Sequence, residues 1–204
     1  MNATTPPTPH TVGILAGMGP AAGVDFARLF VAACEDWLRG HGQAVCDQAY
    51  PAHWMAQLPI ADRTRALTDG AAPQPLDAMA QGLAQLAGLG ARAVAMPCNT
   101  AHAWHAALQQ RVPQVELLHM PRETAAALRA RGLTRVALLA TEGSYRIGLY
   151  EQAFAAEGIG CVLPFYTPDF SAQGKIIYAC VTYIRLALVY TFVNVPYCAM
   201  PGVI

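Results

Sequence analysis

A cysteine sits where a strand should meet a helix. The apolar run Ala93-Val94-Ala95-Met96 ends in Pro97-Cys98-Asn99-Thr100-Ala101-His102. At the carboxyl end of a strand, the Cys98 thiol would face the positive end of the next helix's dipole. That favours a thiolate, and the free backbone N–H groups there offer an anion site. Asn99 and Thr100 are capping residue types for that helix. A reactive sulfur beside an anion site suits chemistry on a small carboxylate. A small buried core cysteine accounts for the same residue equally well.

Other residues suit the same substrate. Gly17-Met18-Gly19-Pro20 follows an apolar run and opens a helix, so Met18 and Gly19 can present backbone N–H groups to a carboxylate. The spacing Gly17-x-Gly19-x-x-Ala22 also resembles a weak dinucleotide fingerprint. However, Glu35 and Asp36 fall inside the predicted helix, not at the end of a second strand where a ribose would be held. Arg63, in an irregular loop after Pro59, can fork onto a carboxylate. Thr141 and Ser144 offer hydroxyls at a later turn, although Ser144 is equally a plain helix cap. His102 and His105 share a helical face with no third ligand evident, so no metal site is assigned.

The elements that must position these residues alternate strand and helix. Strands are predicted at Val12–Ala16, Ala93–Met96, Val115–Leu118 and Arg135–Ala140. Helices are predicted from about Ala21 to Leu38, Leu76 to Gly90, Ala101 to Arg111, Arg122 to Arg131 and Ser144 to Glu157. Val24, Leu29, Val31 and Trp37 are among the apolar positions of the first helix, and residues 41–75 look less regular. Alternation of this kind gives an α/β fold with a parallel sheet flanked by helices. Of the 204 residues, 54% are hydrophobic and 13% charged, with zero formal net charge. That describes a well-filled core and gives no basic field for nucleic acid. The six cysteines lack CxxC spacing, which fits a reducing cytoplasm better than a disulfide framework. Met1 to His10 reads as a loose tail, not a signal peptide.

One repeat is visible: Val12-Gly13-Ile14-Leu15-Ala16-Gly17-Met18-Gly19-Pro20 resembles Val136-Ala137-Leu138-Leu139-Ala140-Thr141-Glu142-Gly143-Ser144. Two similar lobes are therefore expected, with the second too short to repeat the Cys98 element. The end of the chain changes character. From Ile176 to Ile204 the only charged residue is Arg185. The length could span a bilayer, but a central Arg is costly there, so a buried or poorly folded tail is the expectation and no membrane partner is assigned.

Together, Ala16-Gly17-Met18-Gly19-Pro20, Pro59-Ile60-Ala61-Asp62-Arg63-Thr64, Ala95-Met96-Pro97-Cys98-Asn99-Thr100-Ala101-His102 and Leu139-Ala140-Thr141-Glu142-Gly143-Ser144 resemble the aspartate/glutamate racemase family, from about Val12 to Tyr178. The resemblance implies two α/β lobes related by a pseudo-twofold axis, with the active site between them. The corresponding segments are a tail (1–10), a first lobe (11–112), an incomplete second lobe (113–178) and a divergent apolar end (179–204). It further implies a cytoplasmic, dimeric isomerase that needs no pyridoxal phosphate or other cofactor. Two cysteines would invert the α-carbon of aspartate or glutamate, one removing the proton and the other returning one to the opposite face. By this resemblance Cys98 is the first base. Met18, Gly19, Asn99, Thr100, Thr141 and Ser144 hold the amino acid, Arg63 takes its side-chain carboxylate, and Lys175 assists.

The family's second cysteine lies in a Gly-Cys-Thr-Glu motif that is absent here, and Cys180 and Cys198 have other neighbours. The end reads as replacement sequence, and inversion is expected to be strongly impaired. Two further readings stay open: a non-catalytic remnant that binds acidic amino acids, and a nucleotide-binding oxidoreductase fragment built on Gly17 and Gly19. The same chemistry on hydantoins, arylmalonates or maleate is a third, less favoured by Arg63.

Overall fold

A computed structural model describes residues 10–162; Lys175, Cys180, Cys198 and the segment 179–204 lie outside them. The described residues fall into two compact units, one of residues 10–134 with 140–160, the other of 135–139 with 161–162.

The first unit is built on a four-stranded parallel sheet. Its strands are β1 (Val12–Ala16), β2 (His53–Gln57), β3 (Ala93–Ala95) and β4 (Glu116–Leu117), in the order β2-β1-β3-β4. In register, Val12 lies beside both His53 and Ala93, and Ala93 beside Glu116. The carboxyl ends of β1, β2 and β3 therefore share one edge of the sheet. The connection from β1 leads to a neighbour on one side and the connection from β2 returns to β1's other side. The strand order thus reverses between β1 and β3, the crevice where open parallel sheets hold ligands. The turns leaving those two strands are Gly17-Met18-Gly19 and Met96-Pro97-Cys98.

Helix α1 spans Pro20–Gly40, opening on a Pro in its first turn with Gly19 as the capping residue in extended backbone. It buries only Gly23 and Leu38. Val24, Leu29, Val31 and Trp37, expected among its apolar positions, are exposed. The reason is close approach: a Cβ at Gly23 would lie 2.4 Å from that of Ala16. The helix meets the sheet through its small face, so its large apolar side chains point elsewhere.

The stretch 41–75, which reads as irregular in sequence, contains β2 and the short helix α2 (Arg63–Thr68). Asp62 caps α2 by accepting from the Arg65 N–H at 2.9 Å. Edge strand β2 is largely exposed, so alternation gives no burial signal there. Helix α3 (Leu76–Gly88) lays Met79, Leu83 and Leu86 on the sheet, each 0–1% exposed. Burial at these three positions is worth roughly 1.5–3 kcal/mol per side chain. Gly82 lets α3 sit close, since a Cβ there would be 2.7 Å from side-chain carbons of Leu15 and Leu58.

After β3 comes a 3₁₀ turn, Thr100–Trp104, and then α4 (His105–Arg111), where sequence predicts one helix from Ala101. Helix α5 covers Met120–Ala130. The helix predicted from Ser144 to Glu157 is two helices, α6 (Glu142–Ile147) and α7 (Leu149–Ala156). They break at Gly148, whose φ of +60° is left-handed and suited to Gly. Strands β5 (Arg135–Ala137) and β6 (Gly160–Val162) form a two-stranded sheet. Among the described residues, no helix is long and apolar enough to cross a membrane.

Gly17 carries φ +97°, and a Cβ on it would fall 2.0 Å from the Leu58 carbonyl oxygen. Gly42, at φ +65°, faces open space. We predict that Gly17→Ala lowers unfolding free energy by about 3 kcal/mol and Gly42→Ala by about 1 kcal/mol. Urea melts of the two variants should separate clearly; equal losses would contradict the close approach at Gly17.

Candidate active site

The motifs of Met18, Arg63 and Cys98 leave the same edge of the four-stranded sheet, and a hydrogen bond ties Arg63 to the Met18 turn. Arg63 is not in a loop but is the first residue of α2, half-buried. Its Nη1 donates to the carbonyls of Ile60 at 3.2 Å and Ala61 at 3.0 Å, and its Nη2 to the Met18 carbonyl at 2.8 Å. The guanidinium thereby joins the turn after β1 to the start of α2. A guanidinium has five N–H donors. Nε is buried and has no hydrogen-bond partner among the described residues. Nε–H and one Nη2 hydrogen are thus the donors left over, and a guanidinium can present such a pair to a carboxylate.

Cys98 is a free, half-buried thiol packed against the edge of the core. Its N–H donates to the Met96 carbonyl at 2.7 Å. The expected caps differ from those found. Asn99 occupies the capping position of the 3₁₀ turn but makes no side-chain cap. Its Oδ1 instead accepts from the Tyr150 hydroxyl at 2.5 Å. Thr100 is buried, at 8% exposure. Gly143 packs against it: a Cβ there would lie 3.1 Å from the Thr100 methyl and 3.0 Å from the Thr64 hydroxyl oxygen. So α6 rests on both the Arg63 helix and the Cys98 loop.

Ser144 is likewise not the helix cap. Thr141 holds that position, and the Ser144 hydroxyl, in a side chain 2% exposed, lies 3.2 Å from the Thr141 hydroxyl. Met18 is 6% exposed, while Gly19 is exposed with open space around it. Four of the turns singled out in sequence therefore converge: those carrying Met18, Arg63, Cys98 with Asn99 and Thr100, and Thr141 with Ser144. Lys175 lies outside the described residues.

His102 has a role that spacing alone did not reveal. It is 2% exposed, and its Nδ1 lies 2.8 Å from the Cys98 carbonyl oxygen, which only accepts. Its Nε2 receives the Met120 N–H at 3.1 Å. These partners fix a neutral ring with the proton on Nδ1. Burial pushes its pKa down, opposed by the bond to Cys98 and helped by His105. His102 thus moors the cysteine loop to α5.

His105 and His119 stand beside it, ring centres 6.0 and 5.4 Å away. His119 caps α5 by accepting from the Arg122 N–H, and burial, then His105, His102 and Arg122, lower its pKa to about 4. His105 Nε2 bonds the Leu117 carbonyl. Among the described residues, no cluster of three His, Cys, Asp or Glu side chains is arranged for a metal ion. Glu35 pairs with Arg39 within α1, so it does not stand at a strand end where a ribose would bind.

The sequence profile of the Asp/Glu/Hydantoin racemase family matches residues 15–168. The chain belongs to this family. The broad-specificity amino-acid racemase RacX of Bacillus subtilis is 29% identical over 153 residues, covering 72% of this chain and 61% of RacX. The structure of Picrophilus torridus aspartate racemase is similar with a TM-score of 0.63 and 28% identity, over 76% of this chain and 63% of that one. This racemase-family chain thus spans under two thirds of either relative's length. A second likeness is unrelated to racemases. A 47-residue stretch, 23% of the chain, is 92% identical to a tenth of YagG, described as a glycoside/cation symporter of Escherichia coli.

Replacing His102 by Ala strands the Met120 N–H and the Cys98 carbonyl and opens a cavity, a loss of about 2–4 kcal/mol. A loss below ~1 kcal/mol in urea melts would contradict the mooring role. His119 is neutral when folded, so the unfolded chain binds more protons between its ordinary value of 6.5 and the depressed value of about 4, and the burial of His102 works in the same direction. Their contribution is complete above pH 6.5 and declines as pH falls through that window. Stability rising from pH 6.5 to 4.5 in wild type, relative to His119→Gln, would oppose this assignment.

Proposed function

We propose that this chain binds an acidic amino acid, aspartate or glutamate, and exchanges its α-proton at Cys98 without a cofactor. The observation that carries the reading is the Arg63 fork: a buried Nε without a partner among the described residues, held in place by three carbonyls. An unsatisfied buried donor costs about 1–3 kcal/mol, and a substrate carboxylate would relieve it. In this reading Arg63 takes the side-chain carboxylate. The Asn99 amide, the backbone around Met18 and Gly19, and the exposed Thr141 hydroxyl receive the α-carboxylate and ammonium. Thr100 and Ser144 are buried and back the loops, and Lys175 is kept as an assisting cation.

The chemistry follows from the residues. The Cys98 thiolate takes the α-proton, an S–H bond forms as the C–H bond breaks, and the electron pair stays on the α-carbon beside the carboxylate. Return of the proton to the same face restores the substrate. Inversion needs a second donor on the opposite face, and the Gly-Cys-Thr-Glu motif that supplies it in the family is absent from these 204 residues. Exchange from one face without efficient inversion is therefore the proposed activity.

A second reading, an acidic amino-acid-binding remnant without catalysis, is favoured by the symporter-like stretch. The family match ends at residue 168, and the residues beyond it include the run from Ile176 with Arg185 as its lone charge. We place the transporter-derived stretch at that end, where it would replace the part of the fold that carries the second cysteine. The cytoplasmic location and the homodimer implied by the resemblance remain within this proposal.

The test is NMR of L- and D-aspartate and glutamate in D₂O with the full chain. Deuterium should enter the α-position of one enantiomer without loss of optical purity. Cys98→Ser should slow this at least ~100-fold, and Arg63→Gln should weaken substrate binding ~10- to 100-fold. Efficient racemisation by wild type would overturn the one-sided mechanism. Tight binding with no exchange would select the second reading.

A further inference from the structure

We propose that Tyr150 is a positioning residue that sets which way the Asn99 amide faces, and so prepares the cysteine loop for a carboxylate. The inference rests on the substrate reading above and deepens it. Asn99 is exposed and next to Cys98, and its side chain does not cap the turn it begins. An unrestrained exposed amide would rotate and present either its oxygen or its nitrogen to a ligand. Only the nitrogen end helps a carboxylate; the oxygen end repels it.

The Tyr150 hydroxyl removes that freedom. It donates to Asn99 Oδ1 at 2.5 Å across 51 positions of sequence. With the oxygen occupied, both Nδ2 hydrogens are left for an anion. Tyr150 is itself held. Its ring packs against Phe154, centres 5.7 Å apart, and its hydroxyl is also in reach of Thr124 on α5. Thr124 is fixed in turn by donating to the Met120 carbonyl at 2.8 Å. Met120 is the residue whose N–H bonds His102, the mooring of the Cys98 carbonyl. The loop is thus held through Cys98 by His102, which bonds the first turn of α5, and through Asn99 by Tyr150, whose helix α7 packs against α5. Gly148 ends α6 and lets α7 begin on a new course two residues before Tyr150.

The experiment compares wild type, Tyr150→Phe, Asn99→Ala and the double variant as full chains, with thermal melts to confirm folding. The first readout needs no substrate: the Asn99 side-chain amide signals in ¹⁵N NMR. They should be well dispersed in wild type and move toward averaged positions in Tyr150→Phe. The second readout is binding of L- and D-aspartate. Tyr150→Phe should weaken it about 3- to 10-fold, and should have no further effect when Asn99 is already Ala. Unmoved Asn99 signals in Tyr150→Phe, or a loss of binding that persists in the Asn99→Ala background, would overturn the proposal. If wild type binds no acidic amino acid, the substrate reading fails, and the amide signals alone still decide whether Tyr150 orients Asn99.

Discussion

The arrangement depends on how the Arg63 guanidinium is held. A long cationic side chain at the head of a six-residue helix would ordinarily sample many rotamers. Three backbone carbonyls, from Met18, Ile60 and Ala61, remove that freedom. They take both Nη1 hydrogens and one on Nη2, and leave Nε without a partner among the described residues. A lysine would supply charge without this fork. The contact with Met18 requires the turn after β1 to pass close to Leu58, and the positive φ of Gly17 makes that possible.

The rest of the site is assembled by the sheet. Parallel register puts the ends of β1, β2 and β3 level, and the strand order reverses between the strands that lead into the Met18 turn and the Cys98 loop, where open parallel sheets generally hold ligands. Helix α6 then packs on Thr64 and Thr100 together through Gly143, which has no side chain to hold them off. This is preorganisation in a literal sense: the polar groups are fixed by backbone and by buried hydrogen bonds before any substrate arrives.

Much of this was legible in sequence. Alternating apolar runs and helical spacing gave the parallel α/β fold, and β1, α3 and β3 fall close to where periodicity puts them. The four site motifs were visible because each combines turn residues with a chemical group. What sequence missed has physical reasons. The edge strand β2 has no buried face to leave a pattern, and α2 is too short for periodicity to register. The large apolar residues of α1 suggested a core face, yet the helix docks through Gly23. Asn99 and Ser144 looked like caps because their types favour caps, but Tyr150, 51 residues away, engages the Asn99 side chain, and Thr141 holds the cap position with the Ser144 hydroxyl beside its own. His102 and Tyr150 carry no local signal, since their roles are defined by partners distant in sequence.

The fold and family are those of racemases, while the reaction of this chain turns on what its two kinds of sequence do together. One is a racemase-like part that carries Cys98 and the Arg63 guanidinium; the other is a stretch shared with a transporter. The central claim is that the Arg63 fork receives a substrate carboxylate. The most direct measurement is the ¹⁵Nε–H signal of Arg63 followed while aspartate is titrated into the full chain, with succinamide, which has no carboxylate, as control. A saturable shift with aspartate and none with succinamide is the predicted result. An Nε signal that stays still while aspartate binds, or that moves equally with both compounds, would contradict the account.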